Sequence, residues 1–313
     1  MKAVILDAAS LGDDIDLHPI RTEVDSLQVH DNTAPEECLE RLAGANVAIV
    51  NKVVLNADTL EALPSLELIC VLATGTNNID MQAAKRLGIA VRNVSAYGTA
   101  SVAQHTMMLM LALGNRLPLY QREVADGAWQ QSDFFCLLNH RTLQLSGKHL
   151  VIVGQGELGS RVAALAEAFD MSVSFAARPG KAGDQRPSLY ELAPEADVLS
   201  LHCPLTEQTR HLVDASLLNR LKQNALLINC ARGGIIDEDA ALEALRDGRL
   251  GGLGVDSLPA EPPREGHPLI TALDEPLNLI VTPHNAWITP EARANVVRLT
   301  VDNLRAWQGI PDA

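Results

Sequence analysis

Short apolar runs of strand length alternate along the chain with segments of helical spacing. In the first third the runs are residues 3–6, 47–50, 68–72 and 89–94, and segments 35–43 and 81–87 lie between them with a helical period. Runs that are apolar at successive positions bury both faces, as strands of a parallel sheet do, and the intervening helices supply the crossovers. Asp80 reads as an N-cap for 81–87 and Gly88 as the residue that ends it. The rhythm resumes with runs at 150–153, 172–176, 198–202, 226–230, 253–256 and 279–282, and helices at 161–169, 215–221 and 238–247. The pattern predicts an α/β protein with two doubly wound parallel-sheet domains. Between them, an apolar-rich helix runs from Ser101 towards Leu113, followed by a connector bearing Trp129, Phe134 and Phe135. Those side chains are too large and apolar for a solvated loop; a second subunit or packing within the chain has to cover them. The last helix, 289 to about 307, has Thr289 as N-cap and Pro290 at its first position, and no strand follows it. It is therefore expected to return to the first domain, so that 1–97 plus 287–313 form one discontinuous domain and 98–286 the other.

The run 150–153 breaks into Gly154-x-Gly156-x-x-Gly159 and then becomes a helix. Gly154 allows a tight turn, Gly156 lets the backbone approach a pyrophosphate, and Gly159 lets the helix pack closely on the strand. The free N–H groups and positive dipole end of the helix suit phosphates, so this stretch predicts a dinucleotide site. An acid that would bind the ribose 2′-hydroxyl belongs at the end of the second strand; residues 175–181 hold none, and Arg178 with Lys181 suits a 2′-phosphate. NAD(H), NADP(H) or both remain open as the cofactor, because Arg178 can equally stack on the adenine of bound NAD. In the first domain, Ala73, Thr74, Gly75, Thr76, Asn77 and Asn78 follow a strand, where the N–H groups can hold a carboxylate.

Composition narrows the partners. The 313 residues are 47% hydrophobic and 20% charged, enough for two cores. A net charge of −14 argues against nucleic acid or an anionic membrane surface, and a small anion would have to be held by local basic groups. Five cysteines without a C-x-x-C spacing read as reduced thiols in a cytoplasmic protein. The N-terminal residues do not resemble a secretory signal, and the longest apolar stretch, 106–113, is far too short for a bilayer. The histidines lack metal-ligand spacing, and no metal is expected.

Three residues stand at or near the ends of successive strands in the second domain: Arg232, Glu261 and His284. Singly they read as a surface cation, a solvated acid and a buried histidine. Together they form a carboxylate-binding cation, a proton donor and an acid that orients it.

With the glycine turn, the run from Asn229 through Asp237, the stretch from Gly254 through Glu261 and Pro262, and the run from Thr282 to Trp287, the sequence resembles the D-isomer-specific 2-hydroxyacid dehydrogenase family over nearly its whole length. The resemblance implies a Rossmann dinucleotide-binding domain and a smaller flavodoxin-like substrate domain, closing over the substrate. It implies that Arg232, Glu261 and His284 are catalytic. It places cofactor contacts at Gly154, Gln155, Gly156, Leu158, Gly159, Arg178, His202, Pro204, Thr209, Cys230, Ala231, Asp256 and Ala286, and substrate contacts at Asn51, Lys52, Ala73, Thr74, Gly75, Thr76 and Arg232. It also implies a homodimer built through the larger domain, and transfer at the D face. Residues 73–78, 101–106, 202–206 and 51–52 look most like the glycerate dehydrogenase, or hydroxypyruvate reductase, branch. The missing acid at the end of the second strand departs from the general family pattern.

On that reading, hydride passes to C2 of a 2-oxoacid while His284 protonates the carbonyl oxygen, with Glu261 on its other ring nitrogen. Asp256 either binds the cofactor carboxamide or makes a structural hydrogen bond. The same groups serve a glyoxylate or other 2-oxoacid reductase. Formate dehydrogenase has Gln where this chain has Glu261, since its hydride donor loses no proton. A corepressor-like protein that senses nicotinamide is the non-enzymatic alternative.

Overall fold

A computed structural model describes residues Met1–Ile310; the last three residues of the expected 287–313 segment lie outside the described part. The chain divides into two compact units, Met1–Gly98 with the segment from Ile288 onward, and Thr99–Trp287.

The first unit holds five parallel strands: β1 (Lys2–Ile5), β2 (Ser26–Val29), β3 (Val47–Val50), β4 (Leu68–Val71) and β5 (Ala90–Asn93), in the order β2-β1-β3-β4-β5. Every residue of β3 and β4 is buried, as a strand covered on both faces requires. The edge strand β2 buries only Leu27 of its four residues, which is why no apolar run marked it in the sequence. Asp80 caps the helix Met81–Leu87 by accepting the N–H groups of Gln82 and Ala83, and Gly88 ends it in the left-handed conformation. The terminal helix Pro290–Gln308, capped by Thr289, packs on β4, β5 and the helix His18–Arg21, and so belongs to this unit.

The second unit has six parallel strands: β6 (His149–Val153), β7 (Ser172–Phe175), β8 (Val198–Leu201), β9 (Ala225–Asn229), β10 (Leu250–Val255) and β11 (Leu279–Val281), in the order β11-β10-β9-β8-β6-β7. The helix Thr99–Gly114 lies against β9, β10, β11 and the helix Glu157–Glu167. The connector after it is in part a helix, Leu117–Ala125, with Pro118 in its first turn. Packing within the chain does not cover the aromatic groups beyond it: Phe134 is 74% and Phe135 90% exposed, with Trp129 and Leu138 also at the surface.

In both sheets the second strand lies on one side of the first and the third on the other. The winding reverses between β1 and β3 in one unit and between β6 and β8 in the other. The carboxyl ends of strands at such a switch point are where open α/β sheets bind ligands. The residues there are Asp7 and Asn51 in the first unit and Gly154 and His202 in the second.

Candidate active site

Gly154 follows β6 with φ of +106°, and a Cβ on it would lie 2.3 Å from the carbonyl oxygen of His202. A Cβ on Gly159 would lie 2.0 Å from the carbonyl oxygen of Gly154, so the helix Glu157–Glu167 meets the strand with no room for a side chain. Above Gly156 there is open space instead, beside the free first-turn amides of that helix. The open turn and the helix N-terminus together suit the backbone approach and charge of a pyrophosphate. Three buried polar atoms beyond the carboxyl ends of strands in this sheet have no hydrogen-bond partner among the described residues: His202 Nδ1 after β8, Ser257 Oγ after β10 and Asn285 Oδ1 after β11. A dinucleotide fits such a row, since it carries donors and acceptors along its length.

The chain beyond β7 supplies the acid that residues 175–181 lack. Asp184 folds back to accept the backbone N–H of Arg178 at 2.9 Å, and it also accepts the backbone N–H, Nε and Nη2 of Arg186. The guanidinium holds the carboxyl far below its ordinary value. Arg186 Nη1 reaches Gln155 Oε1 at 2.9 Å, which ties this loop to the glycine turn. With four bonds accepted, Asp184 has no lone pair left for a ribose hydroxyl. Arg178 remains exposed.

Arg232, Glu261 and His284 are all in the second unit, each beyond the carboxyl end of its strand. Asn229 shapes the first of these turns, accepting the N–H of Ala231 and donating to the carbonyl of Arg232. Gly233 then presses on the next turn: a Cβ there would lie 2.0 Å from the carbonyl carbon of Leu258. Glu261 is held at both oxygens, Oε1 by the N–H of Leu258 at 2.9 Å and Oε2 by His284 Nδ1 at 2.6 Å. His284 Nε2 therefore stays available for a reacting atom.

His284 sits at φ +52°, a left-handed conformation that costs a non-glycine residue on the order of 1 kcal/mol or more. Asp256, 2% exposed, holds it there: Oδ1 accepts from Thr282 Oγ1 at 2.6 Å and from the N–H of Asn285 at 3.0 Å, and Oδ2 accepts the N–H of Ala286 at 3.0 Å. Of the two roles open to Asp256, the structural bond is thus present. Thr209 is likewise engaged, donating to the carbonyl of Pro204 and accepting the N–H of Thr206. Burial pushes the His202 imidazole down to about 4, although part of that residue reaches the surface, and pushes the Cys230 thiol up to about 12.

In the first unit, Asp7 is 5% exposed and gathers the N–H groups of Asn51, Lys52 and Val53 at 2.8, 2.6 and 3.2 Å. It shapes the loop beyond β3 as Asp256 shapes the loop beyond β11. In the loop after β4, the carbonyls of Ala73, Thr74 and Thr76 are taken by Val94 N, Asn93 Nδ2 and Ile79 N. The N–H groups of Thr74, Gly75 and Thr76 reach no backbone carbonyl among the described residues, as an anion-binding turn requires. Among the described residues no helix is long and apolar enough to cross a membrane, and no group of three or more His, Cys, Asp or Glu is placed to hold a metal.

Residues 107–286 match the family described as D-isomer specific 2-hydroxyacid dehydrogenase, NAD binding domain. The chain belongs to that family. Glycerate dehydrogenase of Methylorubrum extorquens is 41% identical over 307 residues, covering 98% of this chain and 96% of the relative. Hydroxypyruvate reductase of Blautia hydrogenotrophica is 31% identical over 97% of this chain and 96% of its own. Among solved structures, apo D-lactate dehydrogenase of Escherichia coli superposes with a TM-score of 0.82 at 26% identity, over 99% of this chain and 98% of the other. This member of the D-2-hydroxyacid dehydrogenases is an NAD-binding oxidoreductase acting on 2-hydroxyacids, with two parallel-sheet α/β domains.

Asp7, Asp184 and Arg186 escaped the sequence reading. Asp7 acts on a loop 44 to 46 residues away, so no local motif marks it. Arg186 was within reach, as the next arginine after Arg178.

Proposed function

We propose that this dehydrogenase interconverts hydroxypyruvate and D-glycerate. The observation that carries the chemistry is the 2.6 Å contact of Glu261 with His284 Nδ1, which leaves Nε2 for the substrate. The bound nicotinamide supplies or accepts the hydride. Arg232 binds the substrate carboxylate and polarises the C2 carbonyl. His284 Nε2 holds the proton that the carbonyl oxygen takes as charge grows on it, and takes it back in the oxidative direction. Glu261 fixes the ring orientation and balances its charge. In the first unit, the amides of Thr74, Gly75 and Thr76 and the loop of Asn51 and Lys52 serve as anion contacts. The relative named glycerate dehydrogenase supports this substrate over other 2-oxoacids.

The segment 1–98 with the C-terminal helix is the substrate domain, and 99–287 is the cofactor domain. Both cofactors are used: the saturated Asp184 offers the ribose 2′-hydroxyl no acceptor, while the exposed Arg178 offers a cation to a 2′-phosphate or a stacking plane to adenine. The exposed surface of Trp129, Phe134, Phe135 and Leu138 supports a homodimer, since so large an apolar cluster is costly in water. Five free cysteines, four of them buried, suit the cytoplasm.

Initial rates with NADH and NADPH, each against hydroxypyruvate, glyoxylate and pyruvate, test the substrate. The expected result is the highest kcat/KM for hydroxypyruvate, with turnover on both cofactors. A preference for glyoxylate would move the substrate assignment, and binding of NADH without turnover of any 2-oxoacid would favour a sensor.

A further inference from the structure

The helix Thr99–Gly114 touches the loop that carries His284 at two points, one helical turn apart on one face. Ser101 Oγ donates to the carbonyl of Ala286 at 2.6 Å, and His105 Nε2 lies 3.0 Å from Thr282 Oγ1 and 3.5 Å from Asp256 Oδ1. The protons in this chain can be placed. Asp256 accepts backbone N–H groups at both oxygens, so the hydroxyl of Thr282, 2.6 Å from Oδ1, donates to it. The lone pair of Thr282 then faces His105, which must be the donor through Nε2–H. The chain runs from His105 to Thr282, to the Asp256 carboxylate, and from there to the N–H groups of Asn285 and Ala286, the two residues that follow the strained His284.

We propose that His105 is a positioning residue for the reduction, acting through Thr282 and Asp256 to keep His284 in its left-handed turn with Nδ1 on Glu261. This rests on His284 being the proton donor. His105 is largely buried, and burial lowers its basicity while Asp256 offsets part of that effect. It contributes as a neutral donor. Among the described residues Asp256 is the charged group that acts on it. Ser101 on the same face fixes the carbonyl side of Ala286, so the loop is gripped at both its N–H and C=O groups.

The test is a double-mutant cycle on the intact enzyme with NADH and hydroxypyruvate, read as kcat, KM and the NADH dissociation constant measured by fluorescence. His105→Ala is expected to lower kcat ten- to a hundredfold, with KM and NADH affinity within threefold. His105→Gln, which keeps a donor at that reach, is expected to restore most of the rate. In a His284→Ala background, His105→Ala is expected to cost less than twofold, because nothing remains for it to position. Equal loss in both backgrounds, or no rescue by Gln, would overturn the role of His105. Full activity of His284→Ala alone would overturn the proton-donor assignment itself, so the two failures are distinct. If His105→Ala does not fold, Thr282→Val against Thr282→Ser reads the same chain: Val is expected to lose kcat and Ser to keep it, and the reverse refutes the proposal.

Discussion

Replacing Glu261 by Gln keeps the shape of the side chain and removes its charge. In the native site the carboxylate accepts from His284 Nδ1 at 2.6 Å and from the Leu258 amide at 2.9 Å. The amide has one oxygen, so it can retain one of these bonds, and its NH2 group meets a donor at the other. Both side chains are about one-third exposed, at 31% for His284 and 34% for Glu261, so bare Coulomb energies at this distance overstate the interaction. The relevant quantity is the gap between a charge-assisted and a neutral hydrogen bond, about 1 to 1.5 kcal/mol, with a similar amount at most for the mismatched donor. Because the charge on the ring changes as the proton moves, most of this loss falls on the transition state. It corresponds to a fall in kcat/KM of about ten- to a hundredfold. The assay is steady-state reduction of hydroxypyruvate beside a fluorescence titration of NADH. NADH affinity is expected within about twofold of wild type, since Glu261 belongs to no part of the glycine turn. A variant with undiminished kcat/KM, or one whose loss lies wholly in NADH affinity, would refute this account of the dyad.

Other perturbations probe the scaffold. Gly159→Ala places a methyl group 2.0 Å from a backbone oxygen, and is expected to lower Tm by several degrees, from overpacking of about 1 to 3 kcal/mol, and to weaken NADH binding; unchanged Tm and NADH affinity would contradict the close helix–strand approach. Asp7→Asn removes an acceptor from the loop of Asn51 and Lys52, and is expected to raise KM for hydroxypyruvate severalfold with NADH affinity unchanged; a constant KM would remove that loop from the site. Stability of the cofactor-free protein is expected to fall as pH drops from 6.5 towards about 4, because an unfolded His202 binds a proton in that window and the buried ring does not. The contribution is about 3 kcal/mol at most and is complete near pH 4, so the unfolding free energies from denaturant titrations at pH 7 and 5 should differ less in His202→Asn than in wild type; equal differences in the two proteins would show that the ring is not sealed.

Much of this could be read from the chain because its information is local. The runs 47–50 and 81–87 coincide with β3 and the helix Met81–Leu87, and the three glycines of the turn each meet the contact or open space their spacing implies. What stayed hidden depends on neighbours distant in sequence. Asp7 is legible only once β1 and β3 are adjacent; Asp256 stood out in the sequence, but its partners in the loop after β11 are legible only once β10 and β11 are adjacent. The positive φ of His284 leaves no trace in residue type, since the sequence shows neither a glycine nor an asparagine there. Asp184 lay beyond the window in which the ribose acid is sought, and a loop reversal returns it to the N–H of Arg178. The edge strand β2 and the helix Leu117–Ala125 bury too little for hydrophobic periodicity to reveal them.

The central claim is that His284 delivers the proton in the reduction of a 2-oxoacid held by Arg232. The direct measurement is the single-turnover rate of NADH oxidation by hydroxypyruvate in wild type and His284→Ala, with NADH affinity measured on the same samples. The expected result is a rate at least about a hundredfold lower at unchanged NADH affinity. An undiminished rate would contradict the claim and assign the proton to another group.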